Sequence, residues 1–187
     1  MSTRDLVLIA LFAAIIVALG LIPPVSLGFI PVPVHAQSLG VMLAGVVLGA
    51  RRGTLAVALF MLLAAIGLPV LSGGRGGLGV FMAPPSGYLY GYLAAAFVTG
   101  TICERFVTAR QTGLVQGSLF FVAALAGGVV ACHLLGVLWL AFVTGLGLQA
   151  AFYGTLAFIP GDALKALIAA FAGRAVMVGY PLLPQRA

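Results

Sequence analysis

Two long stretches without a charged residue constrain this chain more than any other feature of its sequence. Residues 6–50 and 111–161 contain no Asp, Glu, Lys or Arg. Hydrophobic residues make up 63% of the 187 residues and charged residues only 6%, which excludes a soluble globular domain. A helix needs roughly 20 apolar residues to cross a bilayer. The composition therefore predicts an all-α integral membrane protein, with residues 1–187 forming a single transmembrane domain.

The hydropathy pattern predicts six transmembrane helices. They cover residues 5–21, 34–50, 53–69, 87–107, 114–143 and 160–179. The fifth is followed by a re-entrant or interfacial piece over residues 149–159. Residues 22–33 contain four prolines, and proline cannot continue a helix, so we expect an extended connection there.

The arginines set the orientation. Seven of them fall at the same side of the six predicted helices: Arg4, Arg51, Arg52, Arg105, Arg110, Arg174 and Arg186. The positive-inside rule makes that side cytoplasmic, with both termini inside. Only Arg75 is left among the arginines for the opposite side. The net charge of +6 is thus explained by the membrane topology. The arginines are scattered along the chain, a pattern that does not indicate nucleic-acid binding.

A glycine-dense loop with one arginine, residues 67–79, separates the third and fourth predicted helices. Irregular backbone at such a place is stable only where protein buries it or where it lines a cavity. Glycines let the main chain approach a ligand closely. We predict that Ser72–Gly79 is a mobile lid over a small anion, with Arg75 meeting the charge and the main chain contributing at Ser72, Gly74, Gly76 and Gly77.

A second chemical signal lies at the start of the sixth predicted helix. Pro160 suits a first helical turn, and the helix dipole favours Asp162 near that end. Asp162 and Lys165 are three residues apart and share a helix face. The pair either closes the helix end by itself or binds a ligand. Because ionisable residues inside a membrane are costly and usually functional, we favour a ligand site.

Enzymatic chemistry finds no support in the sequence. His35 and His133 have no metal-binding spacing, and His133 is expected to be a packed or hydrogen-bonded core residue. The three acidic residues, Asp5, Glu104 and Asp162, fall on opposite sides of the membrane and cannot form a catalytic pair. We predict a binding protein, not an enzyme, with no metal and no cofactor. The two cysteines, Cys103 and Cys132, are predicted to be packing residues.

The first predicted helix carries small residues at every fourth position, Ala10, Ala14 and Ala18. Small residues let helices approach closely in a bilayer. The stripe therefore serves either internal packing or the docking of another membrane subunit. The pairs Gly45/Gly49 and Gly87/Gly91 have the same spacing and the same two interpretations.

Several motifs together resemble the BioY family, the biotin-specific S components of energy-coupling-factor (ECF) transporters. The similarity covers most of the chain and rests on residues Val34–Leu39, Gly67–Val70, Gly73–Gly77, Pro84–Leu89 and Ile159–Lys165. This chain contains no asparagine, so any asparagine that some members place in the pocket is replaced here.

The resemblance implies a protein of the bacterial or archaeal cytoplasmic membrane that captures biotin from outside. Its implied partners are a transmembrane coupling subunit, docked on Ala10, Ala14 and Ala18, and two ATPase subunits, since this chain has no nucleotide-binding motif. Asp162 suits the ureido N–H groups of biotin, Lys165 its ureido oxygen or its carboxylate, and Arg75 the carboxylate. Tyr88, with Tyr90 and Phe81, is a candidate apolar wall, and Gln37 and Gln149 are candidate amide partners. The alternatives are an S component for another vitamin and a structural membrane subunit that transports nothing.

Overall fold

The computed structural model describes residues 1–26, 28, 32 and 34–183, and its elements are almost entirely helical. The α-helices are α1 (Thr3–Gly20), α2 (Gln37–Ala65), α3 (Ser86–Phe106), α4 (Gly113–Leu125), α5 (Cys132–Thr144), α6 (Leu148–Leu156) and α7 (Ile159–Gly179). Within the described ranges, strand pairing is limited to two isolated bridges, Val25–Val34 and Leu71–Arg75. Part of the predicted connection over residues 22–33, and Arg186, lie outside the described residues.

Helix α2 is two membrane crossings joined by a reversal at Gly49. The Gly49 backbone is non-helical, with φ 82° and ψ −176°. A Cβ placed on Gly53 would lie 2.7 Å from the carbonyl oxygen of Ala44, whereas nine residues of continuous helix would separate the two by about 13 Å. The chain therefore turns back on itself at this point, and α2 supplies the second and third of the six predicted helices.

Length and hydropathy alone mark three helical stretches as able to cross a membrane: Thr3–Gly20, Gln37–Ala65 and Gly113–Thr144. The bent pair α6–α7 raises the number to four. The reversal in α2 and the 21-residue α3 complete the six-helix arrangement, which confirms the predicted fold class. The protein is a multi-pass membrane protein.

The fifth crossing is interrupted at its middle. A π-helical segment, Ala126–Ala131, separates α4 from α5. After α5, the short helix α6 meets α7 at an angle of 53°, where the sequence predicted a re-entrant or interfacial piece. Both breaks lie next to the cavity described below.

Residues near the two termini meet at one end of the bundle, as the charge pattern predicted. The Arg4 guanidinium lies over the Tyr180 ring, 4.9 Å from its centroid. Asp5 and Arg52 form an ion pair of 3.5 Å, and Arg52 also donates to the carbonyl oxygen of Leu182. The arginine-rich end is therefore a single surface, which the positive-inside rule places in the cytoplasm.

The glycine pairs and the alanine stripe have different surroundings. Cβ atoms on Gly87 and Gly91 would each lie 2.7 Å from a backbone oxygen of α5, so this pair serves internal packing. Gly45 packs in the same way against α3. In contrast, the three stripe residues are exposed on α1: Ala10, Ala14 and Ala18. Internal packing is thus confirmed for Gly45, Gly87 and Gly91, Gly49 serves the reversal, and internal packing is wrong for the alanines.

Candidate functional site

The candidate site is a cavity at the end of the bundle opposite the arginine-rich surface. The space between its walls is about 760 Å³ when the open solvent at its mouth is counted, so its enclosed interior is smaller than this. Its walls come from the start of α2, the loop before α3, the starts of α3, α5 and α7, and the end of the connection before α2. Polar and aromatic lining residues are His35, Gln37, Ser38, Arg75, Ser86, Tyr88, Tyr92, His133, Phe158, Asp162 and Lys165.

The predicted pair Asp162 and Lys165 lies at the centre of a polar cluster in this cavity. Lys165 Nζ is 2.9 Å from Asp162 Oδ1, and it also donates to Ser38 Oγ at 2.9 Å and to the His35 carbonyl at 2.8 Å. His133 Nε2 lies 2.9 Å from Asp162 Oδ2. The Asp162 side chain is only 7% exposed. A buried carboxylate with several donors is a fixed, charged acceptor in the cavity wall.

His35 adds a neutral polar group beside this cluster. A ring nitrogen of His35 is 3.3 Å from the Tyr92 hydroxyl, and the two rings meet edge to face. Burial, followed by the nearby Lys165, lowers the pKa of His35 to about 4, against a smaller opposite effect of Asp162. The ring is therefore uncharged at neutral pH and can contribute hydrogen bonds without adding a charge to the site.

Aromatic rings form one wall of the cavity. The Tyr88 ring lies edge to face against His133 at 5.8 Å and against Phe158 at 6.1 Å. Its hydroxyl is hydrogen-bonded to Thr155, so the polar tip has a partner inside the protein while the ring lines the cavity. The predicted companions are not among the lining residues: Tyr90 donates to the carbonyl oxygen of Phe81 at 2.8 Å.

Gln37 anchors the glycine-rich loop to the bundle. Its side-chain amide donates to the carbonyl oxygens of Ile16 and Val70, at 3.2 and 2.9 Å, and its Oε1 accepts from the Ser72 N–H at 2.8 Å. Gln37 is 2% exposed and Ser72 is 1% exposed. The two N–H groups and the oxygen of this amide are therefore all bonded to backbone atoms, although Gln37 also lines the cavity. Ser72 is not among the lining residues.

Arg75 stands at the mouth of the cavity. It is exposed, lines the cavity, and donates from Nε to the Ser72 carbonyl at 3.2 Å. The predicted backbone contacts at Gly74, Gly76 and Gly77 are not among the lining residues. Gly77 instead donates its N–H to the Ala64 carbonyl at 2.7 Å, which joins the loop to the end of α2.

Gln149 is exposed at the start of α6 and does not line the cavity. The lining residues that sequence patterns missed are chiefly Ser38 and His133. Ser38 follows Gln37 in the motif Val34–Leu39, and His133 is a polar residue in an otherwise apolar crossing. An intramembrane ionisable group indicates a functional site by default, and that rule would have identified His133, which we expected instead to be a packed or hydrogen-bonded core residue. Among the described residues, none of the Asp, Glu, His and Cys side chains cluster in a way that could hold a metal ion.

Comparisons with known proteins agree with this architecture. Residues 1–181 match the BioY family. The chain is 66% identical to the biotin transporter BioY of Rhizobium etli over the full length of both proteins. It is 48% identical to the biotin transporter BioY of Rhodobacter capsulatus, covering 92% of this chain and 93% of the relative.

A solved structure gives the same answer for the fold. The crystal structure of the S component for biotin from an ECF-type ABC transporter superimposes with a TM-score of 0.90 and 34% identity, and the match covers 97% of each chain. Family, relatives and fold all point in one direction, and the chain belongs to the BioY family.

Proposed function

We propose that this chain, working as a single domain over residues 1–187, is the biotin-binding subunit of an ECF-type uptake transporter. It captures biotin at the outer side of the cytoplasmic membrane of a bacterium or archaeon. The single observation that carries the proposal is the buried Asp162–Lys165 pair in the wall of the cavity, with Arg75 at its mouth. Similarity to biotin transporters and to a solved S component for biotin supports the same ligand.

The chemistry of biotin fits this charge arrangement. Its ureido ring offers two N–H donors and one carbonyl, its sulfur ring is apolar, and its tail ends in a carboxylate. Asp162 can accept from the ureido N–H groups, Lys165 can donate to the ureido oxygen, and the sulfur ring can pack on Tyr88. Arg75 can bind the carboxylate through two parallel hydrogen bonds. Lys165, Arg75 and Asp162 sum to a charge of +1, which the monoanion neutralises.

Delivery inward needs energy from partners in this proposal. The exposed stripe Ala10, Ala14 and Ala18 offers a flat face on α1 where a helix of a transmembrane coupling subunit can approach closely. Two ATPase subunits would act through that coupling subunit. The loop closes the cavity by movement of Gly74, Gly76 and Gly77 beyond Ser72, which Gln37 holds in place. Gln149 remains a candidate contact only if α6 moves toward the ligand.

Equilibrium binding of radiolabelled biotin to the purified protein tests the proposal. We expect saturable binding that unlabelled biotin abolishes and that riboflavin or thiamine leaves unchanged. Asp162→Asn should weaken binding by about 2–5 kcal/mol, the cost of disturbing a buried charged hydrogen bond. Arg110→Gln, a change at the opposite end, is the matched control and should bind like the parent. Wild-type affinity in Asp162→Asn would place the ligand elsewhere.

A further inference from the structure

His133 lines the candidate site and is hydrogen-bonded to Asp162 there. Its Nε2 lies 2.9 Å from Asp162 Oδ2, and the two side chains are 12% and 7% exposed. The contact joins α5 to α7 across the cavity wall. A donor in this position restricts rotation of the carboxylate, because the opposite oxygen is held by Lys165 at 2.9 Å.

The local structure holds the imidazole ring itself in place. The His133 ring lies edge to face against Tyr88 at 5.8 Å and against Phe158 at 6.2 Å. His133 is the second residue after the π segment Ala126–Ala131. A π-helical hydrogen bond spans five residues, one more than the α-helical bond. Because one residue of an α-helix corresponds to about 100° of rotation, the π segment rotates the residues after it by about 100° relative to an unbroken helix.

The hydrogen bonds to Asp162 define which acceptor position is left for a ligand. An ionised carboxylate has about four acceptor positions. Lys165 and, at 3.4 Å, Ser38 approach Oδ1, while His133 approaches Oδ2. A neutral imidazole that donates from Nε2 keeps Asp162, Lys165 and His133 together electrically neutral, which suits a buried cluster. The position left on Oδ2 is then fixed in direction by His133.

We propose that His133 is a positioning residue, whose neutral ring donates from Nε2 and aims the free acceptor position of the Asp162 carboxylate at an N–H donor of the ligand. The inference rests on the proposed function, because it takes a ureido N–H of biotin as that donor. His133 acts through Asp162 and does not itself bind the ligand. Its removal should therefore matter only while the carboxylate is present.

Binding measurements on a double-mutant cycle test this dependence. His133→Leu should raise the Kd for biotin by about tenfold to hundredfold, the usual effect of losing a hydrogen bond to a charged group. His133→Gln, which places an N–H donor in a similar position, should restore most of the affinity, and Leu134→Ala on the outer face of α5 is the control. In the Asp162→Asn background, His133→Leu should add little. If the two substitutions acted independently, the fold-change in Kd of the double variant would equal the product of the two single fold-changes to within roughly twofold. That result would overturn the proposal.

A second readout needs no ligand. The chain has two histidines, so ¹⁵N-histidine NMR of protein purified with a histidine-free tag gives two ring systems, and His35→Gln assigns them. We expect the Nε2–H tautomer at His133 and a changed ring signal in Asp162→Ala. An Nδ1–H tautomer, or a ring signal that Asp162→Ala leaves unchanged, would refute the positioning role. If the expected tautomer is seen in a protein that does not bind biotin, the proposed function fails and the His133–Asp162 relationship stands.

Discussion

Lys165 Nζ lies 2.8 Å from the carbonyl oxygen of His35, so one ammonium group joins the last crossing to the connection that precedes the second. The same group also donates to Ser38 and Asp162. All three of its N–H bonds thus have partners within the protein. A ligand that accepts from Lys165 must replace one of these partners, which links occupation of the cavity to the position of the connection.

Removal of the Lys165 ammonium should cost stability as well as affinity. Lys165→Met keeps much of the side-chain stem but leaves the Asp162 charge without its cation. Breaking a buried pair from one side costs about 3–5 kcal/mol. We expect a lower unfolding temperature in detergent for Lys165→Met. The double variant with Asp162→Asn should recover part of the loss, since no lone charge is then buried. Equal unfolding temperatures in the single variant and the parent would contradict the importance of the pair.

A bulky residue in the alanine stripe should block coupling without affecting capture. Ala14→Trp places a large ring on the exposed face of α1, where a close helix approach cannot admit it. We expect reduced co-purification with a coupling subunit and reduced biotin uptake by cells, at unchanged biotin affinity. Leu138→Trp, on an exposed position of α5, is the matched control. Normal assembly of Ala14→Trp would show that this face meets lipid only.

The loop that carries Arg75 should become more ordered when biotin binds. Because Ser72 is held by Gln37, motion is expected beyond Ser72, where closure brings Arg75 to the carboxylate. A spin label on Leu78→Cys, an exposed site, should lose mobility on addition of biotin. The two native cysteines are buried and free, so labelling is selective.

The same label on Leu114→Cys, exposed at the opposite end, should not respond to biotin. Arg75→Gln should abolish the response at position 78. Identical spectra with and without biotin at position 78 would favour a preformed cavity over a moving lid.

Substitution of Gly49 should destabilise the fold. Its φ of 82° with ψ −176° lies in a region open almost only to glycine, and a Cβ there would clash with the Glu104 carboxylate. Such backbone strain costs on the order of 1–3 kcal/mol. We expect Gly49→Ala to lower the unfolding temperature in detergent. Gly117→Ala, where a Cβ meets nothing within 4 Å, should be neutral or slightly stabilising, because alanine favours the helix.

His35 should make stability fall at mildly acidic pH. Its pKa is about 4 in the folded protein against an ordinary value of 6.5. Between these values the unfolded chain binds more protons, so stability is lost as the pH falls from about 6.5 toward 4. The drop in unfolding temperature between pH 7 and pH 5 should be smaller in His35→Gln than in the parent. The same drop in both proteins would contradict a depressed pKa.

Much of this architecture follows from the sequence, because a bilayer permits few arrangements. The lengths of the apolar stretches predicted six crossings. Pro160 and Asp162 predicted where the last helix starts, and Asp162 also predicted the centre of the candidate site. Contacts that depend on distant parts of the chain were beyond sequence patterns. The side chain of Gln37 looks like a ligand amide, but loop backbone uses its hydrogen bonds. His133 reaches Asp162 after a π segment, which an apolar pattern with α-helical spacing does not reveal.

The reversal at Gly49 has a consequence for biogenesis. Ala50 follows directly after Gly49, and its backbone N–H donates to the Glu104 carboxylate at 2.9 Å. The two residues are 54 positions apart in the sequence. At about 5–20 residues per second, ribosomes need on the order of 3–11 s to supply that acceptor. We therefore expect the turn between the second and third crossings to stay incomplete until the end of the fourth crossing, which carries Glu104, has been synthesised.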